Sequence, residues 1–195
     1  MKLYERLPDS VEVRGHKVRV DFDFRNILRM LEILGNDNLM PKARDYLAVR
    51  CLVKHPRYVS ETLEAIRNIL FEEKPDRSEK KVTSFEQDAG MIRTAFRQEY
   101  GIDLFRDKLH WLEFTELLSN LPEGSRYAEV IGIRVRPIPA PTKYNMKERE
   151  SLIKAKAAVA LHMTDEEQEK FYEKAVSHVF AGLMKIAERG ENIGE

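Results

Sequence analysis

Lys17-Val18-Arg19-Val20-Asp21-Phe22 runs directly into Asp23-Phe24-Arg25-Asn26-Ile27-Leu28-Arg29-Met30-Leu31-Glu32-Ile33-Leu34-Gly35-Asn36. The first stretch alternates polar and apolar residues, the period of a half-buried strand. From Phe24 the spacing changes. Phe24, Ile27, Leu28, Leu31 and Leu34 fall on one helical face, and Gly35-Asn36 stops the helix. Upstream, Val11-Glu12-Val13 also alternates, and Arg14-Gly15-His16 separates the two runs. Gly15 can take the positive φ of a tight hairpin. No other stretch alternates as well. The expected fold is therefore mainly α: a helical bundle of about seven to eight helices with a small N-terminal β-hairpin.

Downstream, Pro41 can begin a second helix that reaches about residue 54, with Pro56 ending it. Val59, Leu63, Ile66 and Leu70 predict a third, with Ser60 as its N-cap. Residues 73–81 are polar, hold Pro75 and carry no apolar side chain. They mark the best linker, so the expected division is 1–72, a linker over 73–83, and 84–195, with one continuous domain as the alternative. Ser84-Phe85-Glu86-Gln87 reads as a capping box for a helix carrying Phe85, Ala89, Ile92 and Phe96, ended by Gly101. Asp107 is expected to start the next, with Trp111, Phe114, Leu118 and Leu121 at helical spacing and Pro122-Glu123-Gly124 as its stop. Residues 127–133 read as helix or strand, and Ser125 as a cap favours helix. Residues 137–141, with three prolines, are expected to be extended. Two helices follow: 146–163, with Leu152, Ala155 and Val159 inward, and 164–189, opened by Thr164-Asp165-Glu166-Glu167 and closed by Gly190.

The 195 residues are 43% hydrophobic, enough for a real core, and 34% charged, which implies long solvated helix faces. Lys+Arg and Asp+Glu are both 33. A neutral chain lacks the basic excess of a dedicated nucleic-acid binder, and nucleic acid is not an expected partner. The single cysteine, Cys51, allows no intramolecular disulfide and no cysteine-rich metal site. Apolar runs fall short of the ~18 residues of a membrane span, and the first residues carry no apolar signal core. The expectation is an intracellular protein with no membrane contact.

No glycine-rich phosphate loop, dinucleotide fingerprint, His-Glu-x-x-His or nucleophile elbow is present. His16, His55, His110, His162 and His178 are scattered, without metal-ligand spacing. No enzyme, metal or cofactor is expected. Lys42, Arg44, Arg50, Lys54, His55 and Arg57 form a locally basic stretch. It reads either as a phosphate-contacting face or as a solvated helix face balanced by Glu61, Glu64, Glu72 and Glu73. Trp111 and Phe114, beside His110, read as a core anchor or as a partner-binding spot. In 164–189, Phe171, Tyr172, Ala175, Val176, Val179, Phe180, Leu183 and Ile186 cover a wide apolar arc that must bury against its own domain or a partner. Tyr172, Val176, Val179, Phe180 and Leu183 are the expected partner-binding residues.

Tyr100-Gly101-Ile102-Asp103-Leu104, followed by Leu109-His110-Trp111-Leu112-Glu113-Phe114 and Leu121-Pro122-Glu123-Gly124, resembles the pattern of a bacteriophage family, the gene-product-fifteen family. The resemblance is densest over 88–156, and includes Gly132-Ile133-Arg134. Where family members carry two adjacent tryptophans, this chain has Trp111-Leu112. These residues, with Tyr100, Gly101, Asp103, His110, Leu121 and Pro122, are family markers rather than catalytic groups. The resemblance implies a gene between those for the major tail protein and the tape measure protein of long-tailed phages of Gram-positive bacteria. It implies a tail assembly chaperone in the host cytoplasm, absent from the mature virion. Its implied partners are the tape measure protein and tail tube subunits, with self-association open. A structural head–tail or tail completion protein is the alternative.

Overall fold

The computed structural model describes residues 5–70 and 82–161. The chain divides into units Met1–Val159 and Ala160–Glu195, and almost all described residues belong to the first. The expected helix 164–189, with Tyr172, Val176, Val179, Phe180 and Leu183, lies outside the described residues, as does most of the 73–83 linker. Residues on both sides of 71–81 contribute to one hydrophobic core, from Val11 and Ile66 to Phe96 and Phe114.

The fold is mainly helical with an N-terminal hairpin, as the periodicity predicts. β1 (Ser10–Val13) pairs antiparallel with β2 (His16–Arg19), Val13 opposite His16 and Ser10 opposite Arg19. The turn places Arg14 at φ 51 and Gly15 at φ 75, the two positive angles of a type I′ hairpin. Arg14 is not a glycine, so this costs energy. Its guanidinium lies 4.6 Å from the Tyr58 ring centroid and pairs with Glu61.

α1 (Phe24–Leu34) starts at Asp23, whose carboxylate accepts the Arg25 N–H. Its fully buried residues are Phe24, Ile27 and Met30, while Leu28, Leu31 and Leu34 are half-buried. Met30 was not on the predicted face: the helix packs on α2 on one side and α5 on another, so its buried arc is wider than one stripe. α2 (Pro41–Arg50) has proline at its first position, as expected, but stops before residue 54. Leu52 and Val53 leave the helix to enter the core, and the Leu52 carbonyl accepts Asp21 N–H at 2.9 Å. α3 (Val59–Leu70) begins one residue before the predicted cap, so Ser60 lies inside its first turn. Tyr58, at φ 49, makes the entry.

The capping box at 84–87 is half made. Ser84 Oγ accepts the Gln87 N–H, but Asp88, not Gln87, reaches back to the Ser84 N–H at 2.9 Å. Regular helix α4 therefore starts late, at Ala89–Ala95, and widens into a π turn over Phe96–Tyr100. Gly101 ends it at φ 70, the left-handed geometry that favours glycine. α5 is Trp111–Ser119, not a helix from Asp107. The Asp107 carboxylate accepts the Asp103 N–H at 2.7 Å and closes a turn, and His110 is the N-cap, its Nδ1 accepting the Leu112 N–H. α5 also ends before Leu121.

α6 (Arg126–Val135) resolves the ambiguous segment as helix, with Ser125 Oγ accepting the Ala128 N–H. Residues 137–141 form no regular element. α7 (Met146–Ala158) packs on α6 and half-buries Leu152 and Ala155.

Candidate functional site

The marker residues assemble one aromatic cluster. Phe114, at 1% exposure, stacks on Phe24 (centroids 4.6 Å apart, planes at 12°) and on Phe96 (5.3 Å, 22°). Trp111 lies 5.8 Å from Phe114 and meets Phe85 edge-on at 6.1 Å. The helical spacing of Trp111 and Phe114 turns both inward, and both are buried. Tyr100 joins through Phe96, 5.6 Å away, and donates its hydroxyl to the Leu117 carbonyl at 2.8 Å.

His110 is half-buried and serves the backbone. Nδ1 accepts from Leu112 at 3.1 Å and Nε2 meets the Pro8 carbonyl at 3.0 Å. The tautomer with the proton on Nε2 satisfies both contacts. Around it, Phe24 N–H donates to Leu109 and Trp111 N–H to Phe22, a short bridge tying the chain after the hairpin to α5. Pro122 contributes a carbonyl that accepts Ser125 N–H, which sets the entry of α6. Leu121 is half-buried against the core, and Asp103 organises the 103–107 turn.

Two carboxylates are tied down. Asp88 forms a two-pronged pair with Arg134, Oδ2 to Nη1 at 2.7 Å and Oδ1 to Nη2 at 2.9 Å, with side chains 1% and 11% exposed. Burial pushes the Asp88 carboxyl up, but the hydrogen bonds from Arg134, the Ser84 N–H and the Thr83 hydroxyl outweigh it, and the net shift is downward. Asp23 repeats the balance: burial raises it, and the Arg25 side chain and backbone N–H lower it further. A carboxyl held below its unfolded value stabilises the fold above about pH 3.9 and loses that contribution as pH falls through the folded value. Urea midpoints are accordingly expected to stay level from about pH 7 to 5 and to fall below about pH 4. Asp88→Asn should flatten part of that fall, and an equal fall in this variant would remove Asp88 as its source.

A cleft with a volume of about 770 Å³ lies between β2 and residues 52–58. Lys17, Arg19, Lys54, His55, Arg57 and Lys108 line it, with Asp9 and Asp21. Only part of the basic stretch read from the sequence takes part. Lys42, Arg44 and Arg50 sit on α2, outside this lining. The hairpin cations and Lys108 were missed. Their only trace in the sequence is the Lys17-x-Arg19 alternation, which places both side chains on one face of a strand. Among the described residues no group of three or more His, Cys, Asp or Glu side chains is placed to hold a metal ion, and no helix is long and apolar enough to cross a membrane.

The family described as Bacteriophage Gp15 protein matches residues 3–161. This chain belongs to that family. No curated protein and no solved structure matches it. The Gp15-family match covers the hairpin, the aromatic cluster, the Asp88–Arg134 pair and the cleft, so every feature described above lies within the family's own extent. Trp111, the one tryptophan of the chain, is buried in the core, and Leu112 beside it is half-buried against the same core.

Proposed function

We propose that this phage protein acts in tail morphogenesis, as an assembly chaperone that binds the tape measure protein in the host cytoplasm and helps recruit tail tube subunits. Membership of the Gp15 family is the observation that carries the reading. The apolar arc of 164–189, lying beyond the matched residues, supports it. A tape measure chain presents long amphipathic helices whose apolar faces aggregate when bare. Helix-in-groove contacts cover such faces. Many modest contacts along a polymer give high occupancy through avidity, while each stays easy to displace during tube growth. Tyr172, Val176, Val179, Phe180 and Leu183 are the proposed contact residues.

Co-expression with the tape measure protein of the same phage tests this. The tape measure should become soluble and co-purify, and mass spectrometry of purified virions should lack this protein. Val176→Asp and Phe180→Asp should each lower capture by about tenfold or more, since a buried anchor contributes about 2 kcal/mol, with an unchanged urea midpoint. A tape measure that stays insoluble, with this protein present in virions at fixed stoichiometry, would instead establish a structural head–tail or tail completion component.

A further inference from the structure

β2 is an edge strand with an unfilled outer side. Val20 N–H donates to the Asp9 carbonyl at 2.9 Å, which fixes the alternation of the ladder. Val18 and Val20 turn their amides toward β1, and Lys17 and Arg19 turn theirs away. The next outward amide, Asp21 N–H, donates to Leu52 O at 2.9 Å. That bond is where a third strand would begin, yet the chain after Leu52 does not continue it. Among the described residues, the outward amides and carbonyls of Lys17 and Arg19 have no backbone partner.

Residues 52–58 bow away from β2 and are held at both ends. Leu52 is fixed by Asp21, and Tyr58 by the Arg14 guanidinium at the hairpin turn. Arg14 and Tyr58 are the two non-glycine residues of positive φ among the described residues. Such strained positions persist where the surroundings impose them, and they gather at binding sites. Between the two anchors lies the 770 Å³ cleft, within the size range of sites for ligands of a few residues.

The cleft walls state what would fit. Lys17, Arg19, Lys54, Arg57 and Lys108 supply five cations against Asp9 and Asp21. Lys54, Arg57 and Lys108 have no ion-pair partner among the described residues, and Lys17 has only a 3.9 Å approach to Asp9. Lys17 and Arg19 share the exposed face of β2, while Val18 faces inward and is half-buried. A strand laid beside β2 would thus meet cations on one face and a valine on the other.

We propose that this cleft binds a short extended acidic segment of a partner protein by strand addition to β2 at Lys17–Arg19. The segment alternates carboxylates with β-branched residues, which places the carboxylates beside Lys17 and Arg19 and an apolar residue beside Val18. The closed ends limit the pairing to a few residues. The proposal uses no residue of 164–189 and does not depend on the chaperone reading.

The test is fluorescence anisotropy of the full chain with a capped peptide of about seven residues alternating glutamate and valine. A version N-methylated on alternate amides and a single-stranded oligonucleotide of equal charge are the comparisons. Binding of the plain peptide is expected, with a loss of about tenfold on N-methylation of the pairing edge. Arg57→Glu should weaken it by about tenfold. Lys17→Pro deletes one outward donor at an edge position where proline leaves the β1 pairing intact. It should weaken binding about fivefold more than Lys17→Ala, with the same urea midpoint. Equal effects of Lys17→Pro and Lys17→Ala would overturn strand addition. Tighter binding of the oligonucleotide, with no effect of N-methylation, would replace it with a phosphate-binding site. No binding of either would leave the cations as guards against edge-to-edge aggregation.

Discussion

Asp88→Ala is expected to destabilise the protein by about 3–5 kcal/mol, the usual cost of removing one partner from a buried ion pair. The arrangement explains the size. The Arg134 guanidinium also donates to the Val82 carbonyl at 3.0 Å and to the Val159 carbonyl at 2.7 Å, and Lys156 Nζ donates to the Arg134 carbonyl. One carboxylate therefore holds in place a cation that joins the start of α4, the end of α6 and the end of α7. Without Asp88, a guanidinium that is 11% exposed keeps its charge with no counterion, and the Ser84 N–H loses its acceptor. Replacing both partners tests whether the loss comes from the stranded charge. Asp88→Leu with Arg134→Met should recover much of the stability, because apolar groups of similar volume remove the desolvation cost as well as the attraction. Urea unfolding of the wild type, both single variants and the double variant gives the cycle. A loss below about 1 kcal/mol for Asp88→Ala would mean that the pair behaves as a solvated surface bridge.

That pair also shows where reading the sequence stops. Ser84-Phe85-Glu86-Gln87 has the spacing of a capping box, and Ser84 does cap locally. The return bond comes from Asp88 because Arg134, 46 positions away, holds its carboxylate there. His110 is a second case. Asp107 looked like the better cap by residue type, but the carbonyl of Pro8, 102 positions upstream, anchors the imidazole over the start of α5. Hydrophobic period is a local signal, so the hairpin, α1 and α3 could be read directly, whereas the period left α6 open between helix and strand and the Ser125 cap decided it. Cap choice and helix ends depend on contacts that form only in the folded chain. The cleft follows the same rule. Its basic side chains come from β2, from the segment after α2 and from the loop before α5, three places with no common period. The Trp111–Phe114 part of the aromatic cluster was legible because the two rings fall at helical spacing on α5. The family was legible because its markers are contiguous.

Phe114→Ala should cost about 3–5 kcal/mol, the range for removing a buried aromatic ring. Phe114 is the one ring in contact with Phe24, Phe85, Phe96 and Trp111 together, so its loss opens a cavity bounded by rings from α1, α5 and the α4 end. Rings on three separate elements cannot close that space without moving the helices that carry them, so relaxation recovers little. Phe114→Leu keeps an apolar side chain in the space and should cost less than about 1.5 kcal/mol, with some stacking lost. This series also separates two roles for the marker residues. With the cluster as core, the urea midpoint falls steeply for Phe114→Ala and slightly for Phe114→Leu. Any loss of tape measure capture should then follow the folded fraction. With the cluster as a docking surface, capture would fall while the midpoint stayed at the wild-type value. At 1% exposure the ring has almost no surface to offer a partner, so the first pattern is the expected one. Trp111 and Phe114 then build the scaffold, and a partner has to be met by residues outside this cluster.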